Sequence, residues 1–193
     1  MAIQINGNGT ITGISAGGLP AGTVTSATLA SGVGGKVLQV VQTTSNTRFD
    51  TTSQTFVDTG FTVTITPTAA SSKILINFTG LVNTNGVNHR CYLDIYRSIA
   101  GGTATGLAPV GSSGGSGTSS VGFFGSIRCD SSRMQTPTHL HYLDSPSYSL
   151  GNAIVYNLYL RSAGSYTVEV PGSNNQEPVI MMATEVNLDL TIY

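Results

Sequence analysis

Residues 61–78, with the sequence FTVTITPTAASSKILINF, decide the fold class because they hold two strand patterns with a proline between them. In the first pattern the odd residues of 61–65 are apolar and alternate with threonines. In the second, Ile74, Ile76 and Phe78 lie on one face of the chain. A period of two residues is typical of a half-buried β-strand. This stretch therefore predicts two strands of an antiparallel sheet.

Comparable strand patterns run through the chain from residue 36 onwards. They occupy residues 37–42, 61–65, 73–78, 91–96, 121–127, 138–143, 153–160, 165–170 and 180–192. The patterns at 121–127, 138–143, 153–160 and 165–170 are bounded by Gly, Pro, Ser or Asn, the residues that end strands and make turns. In the last pattern, alternate residues from Ile180 to Ile192 face one way, and no window of comparable length shows helical periodicity. We therefore predict an all-β fold, an antiparallel β-sandwich formed by residues 36–193.

Residues 1–35 differ from this pattern. Short apolar pieces there are separated by glycines and by the Leu19-Pro20-Ala21-Gly22 break, so the segment cannot close a core by itself. We predict an extended N-terminal arm that becomes ordered by pairing with something else, as an anchor or a trimerisation arm. The arm lacks the charged and apolar regions of a signal peptide, and no stretch approaches the ~20 apolar residues that span a bilayer. We expect neither export by a signal peptide nor membrane insertion.

The low charge of the chain predicts self-association. Charged residues make up 9% of the sequence, against roughly 25% in a typical soluble domain. A monomer with so few charges has little electrostatic protection against association, so we expect it to bury much of its flank against copies of itself. The formal net charge is -1 and the basic residues are scattered singly along the sequence. Because binding to phosphates needs a stripe of basic residues, we expect no nucleic-acid ligand.

Patterns that could carry catalysis or bind a metal are weak. Residues 111–115, GSSGG, match the G-x-S-x-G of a nucleophile elbow, but they lie in a Gly/Ser loop without the flanking strand and helix. The acidic residues show neither calcium-loop spacing nor an identifiable glycosidase pair. Cys91 and Cys129 are interpreted as small apolar residues of a protein made in a reducing cytoplasm, with a disulfide as the less favoured alternative. We predict no enzyme, no cofactor, and no catalytic or metal-binding residues.

Two sets of side chains are candidates for contacts outside the chain. His139 and His141 stand one residue apart on a predicted strand, so both imidazoles project from one face and a three-fold axis would gather six of them. Without a fixed third ligand, such pairs are more often subunit contacts than metal sites. Four tyrosines are candidates for contact with a host glycan, although strand tyrosines usually pack across a sheet or a subunit boundary. They are Tyr92, Tyr96, Tyr156 and Tyr159. The segments 100–120 and 129–137 are predicted as exposed loops.

Several segments resemble phage structural proteins. The opening INGNGTITGISAGGLPAGTVTSATLASG, residues 5–32, resembles the N-termini of virion proteins from marine and cyanobacterial phages. The order and spacing of three later segments are similar to those of a phage fibre domain. These are KVLQVVQTT at 36–44, FVDTGFTVTITPTAASSKILINFTG at 56–80, and HYLDSP at 141–146. The resemblance covers nearly the whole chain, and its most specific pieces are Ser72–Ile76 and Tyr142–Pro146.

The resemblance implies a trimeric, jelly-roll-like subunit of a tail or head fibre, located in the virion after assembly in the host cytoplasm. It implies no catalytic residues. We expect a structural component of a phage virion, a short trimeric tail fibre or spike subunit that contributes to host attachment. The alternative is a capsid or tail decoration protein, a cement or adaptor with no host-binding role. The expected partners are copies of the chain, other virion proteins contacted through residues 1–35, and a glycan or protein of the host surface.

Overall fold

The computed structural model describes residues 4–5, 11–12, 37–108, 125–130, 132–171 and 177–187. The chain divides into two units, Met1–Lys36 together with Asp189–Tyr193, and Val37–Leu188. In the first unit, strands β1 (Gln4–Ile5) and β2 (Ile11–Thr12) pair in antiparallel fashion. The rest of the predicted arm of residues 1–35, like the loop 111–115, lies outside the described residues, so the arm stays a prediction.

The second unit is built from strands alone within the part of the chain that the structure describes. Its strands are β3 (Val37–Ser45), β4 (Phe49–Thr51), β5 (Val57–Ile65), β6 (Lys73–Asn85), β7 (His89–Ile99), β8 (Thr105–Gly106), β9 (Gly125–Cys129), β10 (Arg133–Asp144), β11 (Ile154–Ser162), β12 (Val168–Val170) and β13 (Val179–Val186). The predicted strand patterns 37–42, 61–65, 73–78, 91–96 and 138–143 all lie inside these strands. The all-β prediction is therefore confirmed.

The strands form two antiparallel sheets in a jelly-roll order. Sheet I contains β10, β6, β13 and β3 in that order, and β12 and β4 extend it beside the C-terminal end of β6. Sheet II contains β5, β11, β7 and β9, with β8 on the same edge of β7 as β9. Along the chain the long strands pass repeatedly from one sheet to the other. Four strands of each sheet are connected in the order of a jelly roll, so the predicted jelly-roll-like sandwich is confirmed.

The core lies between the sheets and is filled by alternate residues of each strand. On β6, Ile74, Ile76 and Phe78 are at most 1% exposed, as their spacing predicts. On β7, the same holds for Leu93 and Ile95. Each such side chain contributes about 1.5–3 kcal/mol when it leaves water. The alternation that buries these residues leaves their sequence neighbours on the two outer faces of the sandwich.

A buried polar cluster links the two sheets at one end of the core. Asp144, at the end of β10, accepts hydrogen bonds from Arg97 Nη1 at 2.7 and 2.9 Å. The Tyr156 hydroxyl on β11 donates to Asp144 Oδ2 at 2.7 Å. Burial raises the pKa of Tyr156, and the Asp144 charge adds to that rise. The hydroxyl therefore keeps its proton, and Asp144 connects sheet I to both central strands of sheet II.

Two sequence-based expectations need correction. The segment 129–137 was expected to be an exposed loop, but Cys129 ends β9 and residues 133–137 begin β10. The sequence hides this part of the strand because residues 133–137 show no apolar alternation, and all of them are exposed except the half-buried Thr136. The last strand ends at Val186 and Asn187 continues outside it, whereas the strand was expected to reach Ile192. Residues 188–193 lie outside the described residues.

Candidate functional site

The outer faces of the two sheets are the candidate functional surfaces, because the hollows offer little. A hollow of about 60 Å³ lies between β3 and β5, and two broader depressions of about 350 and 370 Å³ are open to solvent. Ligand pockets usually measure about 300–1,000 Å³ and enclose most of the ligand. Among the described residues, no three His, Cys, Asp or Glu are grouped to hold a metal ion. No helix within the described ranges has the length and hydropathy to cross a membrane.

The outer face of sheet I is an uncharged surface four strands wide. Directly paired residues of neighbouring strands point to the same face, so the strand register groups these side chains in rows. The rows run Val40–Thr184–Leu75–Leu143, Gln42–Met182–Asn77–His141 and Thr44–Ile180–Thr79–His139. Together with Leu81 and Pro137, we call these residues the sheet I face. None of them is Asp, Glu, Lys or Arg.

Large apolar side chains of the sheet I face meet water in the single chain. Val40 is 55% exposed and Leu143 is 41% exposed, at opposite edges of the sheet. Between them, Leu75, Met182 and Ile180 are half-buried by their neighbours on the same face. Burial of such groups against a partner would remove apolar surface from water. The sheet I face therefore has the character of an interface.

Charged groups on this side of sheet I lie beyond the two ends of the face, with Lys73 at the end next to Leu75 and the other charges gathered at the opposite end. Glu169 on β12 is buried and accepts hydrogen bonds from Arg48 Nη2 and Asn83 Nδ2, each at 2.7 Å. Arg133 Nη2 lies 3.4 Å from the same carboxylate. Both guanidinium groups are thus drawn to one buried acid. This arrangement gives the uncharged face a polar rim of the kind that interfaces carry.

His139 and His141 lie on the sheet I face, on the same side of β10. Both histidines are exposed, whereas Thr138, which precedes them, and Leu140, which lies between them, are buried. The prediction that the two histidines share a face is therefore confirmed. His139 Nδ1 is 3.1 Å from Thr79 Oγ1, and His141 is paired in register with Asn77. No acidic residue or cysteine joins them within the described residues. A metal site made by several subunits stays a prediction.

The outer face of sheet II carries a cluster of aromatic rings. The rings of Tyr96 and Tyr159 stack with centroids 3.8 Å apart, and Phe56 lies 6.0 Å from Tyr96. The Arg161 guanidinium lies over the Tyr92 ring, with Cζ 4.1 Å from the centroid, and 5.3 Å from that of Phe56. The four aromatic residues and Arg161 are all half-buried, so part of each side chain faces solvent. We call them the aromatic cluster.

Three arginines meet beside the aromatic cluster. Arg90 on β7 is paired directly with Arg128 on β9, and Arg161 is the partner of Tyr92, two residues further along β7. Arg128 contacts Asp130 at 2.9 Å and Asn88 at 2.7 Å. Arg90 is exposed and has no acidic partner within the described part of the chain. Like charges placed directly opposite each other destabilise a sheet. Of these arginines, Arg128 has an acidic partner, whereas Arg90 and Arg161 form no ion pair within the described residues.

A buried carboxylate lies under the same face. Asp94 is 3% exposed, and its Oδ1 accepts hydrogen bonds from the backbone N–H groups of Ile95 at 2.7 Å and Ala108 at 3.2 Å. Burial raises the pKa of Asp94 to about 6, although these two donors oppose the rise. Burial also raises the pKa of Tyr96, with the Asp94 charge adding to it. Both tyrosine rings of the stack therefore stay neutral near pH 7.

The structure separates the four candidate tyrosines. Tyr92, Tyr96 and Tyr159 lie on the outer face of sheet II, whereas Tyr156 is fully buried and cannot contact a receptor. The sequence held the signal for this difference, because Tyr156 is in phase with apolar residues of β11 and Tyr159 is not. The arginine group was missed, since its members are far apart in sequence and meet only through strand pairing.

The two cysteines are buried residues of sheet II. Cys91 and Cys129 are not joined by a disulfide, in agreement with the favoured interpretation. Burial raises the pKa of the Cys91 thiol, so it stays protonated. Thiols react as thiolates, and Cys91 therefore serves as a small apolar group of the core.

Comparison with known proteins gives no match, either to a protein-family model or to a curated protein.

Proposed function

We propose that this chain is a structural subunit of a phage virion, a short trimeric tail fibre or spike protein that contributes to host attachment. The observation that carries the proposal is the sheet I face, which is uncharged, partly apolar and part of the rigid sandwich. A second copy of the chain is the proposed occupant of that face. The resemblance to phage fibre proteins supports the virion, and residues 1–35 are the proposed joint to other virion proteins.

The size of the sheet I face supports self-association. Four strands about 4.8 Å apart and about seven residues of ~3.3 Å each give a surface of roughly 450 Å². About half of that area is apolar, because seven of the fourteen residues of the sheet I face are Val, Leu, Ile, Met or Pro. The face would supply about half of the ~800 Å² that each partner contributes to a standard interface. The ion-paired rim around Glu169 and further strand edges would supply the rest.

The charge pattern supports contact between identical copies. In a three-fold assembly the contact is heterologous, so the sheet I face would meet a different surface of the neighbouring copy. Because the sheet I face has no charged side chain, that contact would bury no charge of this face without a partner. A three-fold arrangement is proposed because the resemblance implies it, and it would bring His139 and His141 of all subunits together.

The test is the solution mass of the purified chain by light scattering, compared between Leu143→Glu and Leu150→Glu. Leu143 lies on the sheet I face, and Leu150 is a 59% exposed leucine in a turn outside it. We expect a wild-type mass of about three times 19.9 kDa. Leu143→Glu should raise the dissociation constant by about a hundredfold, because it buries a carboxylate without a partner. Leu150→Glu should leave the assembly unchanged.

Other masses would contradict the proposal in different ways. A monomeric wild type would overturn self-association, and a mass of two chains would overturn the three-fold arrangement. An intact trimer of Leu143→Glu would remove the sheet I face as the interface. Retention of the wild-type assembly on host cells supports attachment, whereas an assembly that is not retained would favour the decoration protein.

A further inference from the structure

We propose that the outer face of sheet II binds an acidic saccharide, a polymer of sugars that carry carboxylate or sulfate groups, through the aromatic cluster and the neighbouring Arg90. The site is distinct from the sheet I face, which lies on the other side of the sandwich. The inference deepens the proposed host attachment, on which its biological meaning rests. Its chemistry rests on sheet II alone.

The aromatic cluster provides a stacking surface held rigidly by the sheet. Tyr92, Tyr96 and Tyr159 are on two central strands, so backbone hydrogen bonds on both sides fix their positions. Tyrosine gives a large contact area at low conformational cost because it has only two side-chain torsions. The apolar face of a sugar ring can lie on such rings, while its hydroxyl groups reach polar atoms at the edge.

Polar atoms without partners flank these rings. Asn157 Oδ1 and Arg161 Nε are buried and make no hydrogen bond within the described residues, although buried polar atoms are normally satisfied. Asn157 is paired in register with Tyr96, and Arg161 with Tyr92, so both atoms lie beside rings of the cluster. Because both atoms are buried, they mark incomplete hydrogen bonding beneath the rings, while the rings and Arg90 provide the surface that a saccharide would contact.

The arginines select an acidic ligand over a neutral one. Within the described residues, Arg161 contacts the Gln54 carbonyl oxygen at 3.5 Å and lies against the Tyr92 and Phe56 rings. Arg90 stands directly opposite Arg128, which is paired with Asp130, and Arg90 itself has no acidic partner in that part of the chain. A guanidinium matches a carboxylate or sulfate with two parallel hydrogen bonds. An acidic sugar would therefore supply the anion that Arg90 lacks.

Nucleic acid fits this surface less well, although arginines and aromatic rings also bind single strands. The chain has a net charge of -1, and Asp58 and Asp130 lie along the same face. Affinity for nucleic acid usually requires several phosphate contacts.

The experiment is affinity electrophoresis of the full chain in gels that contain a defined polymer. The polymers are a uronic-acid polysaccharide, dextran sulfate, neutral dextran and a single-stranded oligothymidine. We expect retardation by the uronate, by the sulfate, or by both, and the two gels identify which anion is recognised. Neutral dextran should not retard the chain.

The variants are Arg90→Gln and Arg161→Gln, with Lys73→Gln as the matched control that removes one positive charge from sheet I. Loss of a charged hydrogen bond should weaken binding by about tenfold for each arginine variant. The Lys73→Gln control should change binding by less than about twofold, because Lys73 is distant from sheet II contacts. Arg90 is exposed and makes no side-chain hydrogen bond or ion pair with another described residue, so Arg90→Gln is expected to fold even where Arg161→Gln does not.

Three outcomes would overturn the inference. They are equal retardation by neutral dextran, retardation by oligothymidine alone, and acidic-saccharide binding that Arg90→Gln leaves unchanged. A chain that forms the expected assembly but ignores both acidic polymers would overturn this inference and leave self-association intact. A monomer that binds uronate would overturn self-association and leave this inference intact. The two proposals can therefore fail separately.

Discussion

At the scale of the residue, Asp94 couples stability to pH in an unusual direction. Its pKa is raised to about 6 in the folded chain because burial disfavours the charged carboxylate. As pH rises from about 4 to 6, the unfolded chain loses this proton and the folded chain keeps it. The unfolded state then binds fewer protons, so Asp94 lowers the free energy of unfolding across that window. Most acidic residues of folded proteins act in the opposite direction.

We expect Asp94→Asn to remove this decline in the free energy of unfolding with rising pH. The amide oxygen of asparagine can still accept from the N–H groups of Ile95 and Ala108, so the local structure should persist. The variant should gain about 1–2 kcal/mol over wild type at pH 7 and nothing at pH 3, because wild-type Asp94 is then neutral. Urea denaturation at a series of pH values measures the difference. Asp58→Asn, at an exposed acid of the same sheet, is the control, and an equal pH profile for Asp94→Asn and wild type would refute the argument.

At the scale of the element, one carboxylate joins the chain between β5 and β6 to the edge of sheet I. Glu185 on β13 is fully buried, and no ion pair joins it to a cation within the described residues. It accepts hydrogen bonds from the backbone N–H groups of Thr68 and Ala69 and from Gln39 Nε2, at 2.8 to 3.0 Å. Burial by itself raises the pKa of Glu185, but these donors lower it below its ordinary value. The charge is therefore the form that the fold stabilises.

Glu185→Gln should loosen this junction. The glutamine NH₂ group would face backbone donors, so at least one hydrogen bond to a charged acceptor is lost at about 2 kcal/mol. Because the folded pKa is lowered, the wild-type advantage is present in full above the ordinary glutamate pKa and is lost as pH falls below it. Urea denaturation should show the 2 kcal/mol difference at pH 7 and a smaller one near pH 3. Amide hydrogen exchange should rise at residues 68–69, and unchanged exchange there would contradict the role of Glu185.

Local alternation explains which parts of each element could be predicted from sequence. The buried faces of β5, β6 and β7 follow from a period of two, which depends only on neighbouring residues. The partner of each strand cannot be predicted from this local period, because β6 pairs with β13 about a hundred residues later in the chain. Arg90, Arg128 and Arg161 look like isolated charges in the sequence for the same reason. Pro137 and its polar neighbours, likewise, resemble a loop until pairing with β6 places them in a strand.

At the scale of the whole molecule, the sandwich carries two faces of different chemistry. The sheet I face is uncharged, with ion pairs beyond one end, and the sheet II face has aromatic rings beside arginines. Opposite faces of a sandwich are separated by a core about 10 Å thick, so one face can contact sister subunits while the other stays open. A trimer would repeat the sheet II face three times, and several weak sugar contacts would add up through avidity.

This division predicts opposite responses to salt. Apolar contacts are not screened by ions, so the mass of the assembly should be the same at 0.05 and 1 M sodium chloride. Contacts between arginines and an acidic polymer release counterions, and binding to the polymer should fall by at least about tenfold between about 0.05 and 0.2 M salt. Light scattering and affinity electrophoresis on one preparation measure both quantities. An assembly that dissociates in salt would place its interface on charged groups instead of the sheet I face. Saccharide binding that persists in 1 M salt would show that the aromatic rings, and not the arginines, provide the affinity.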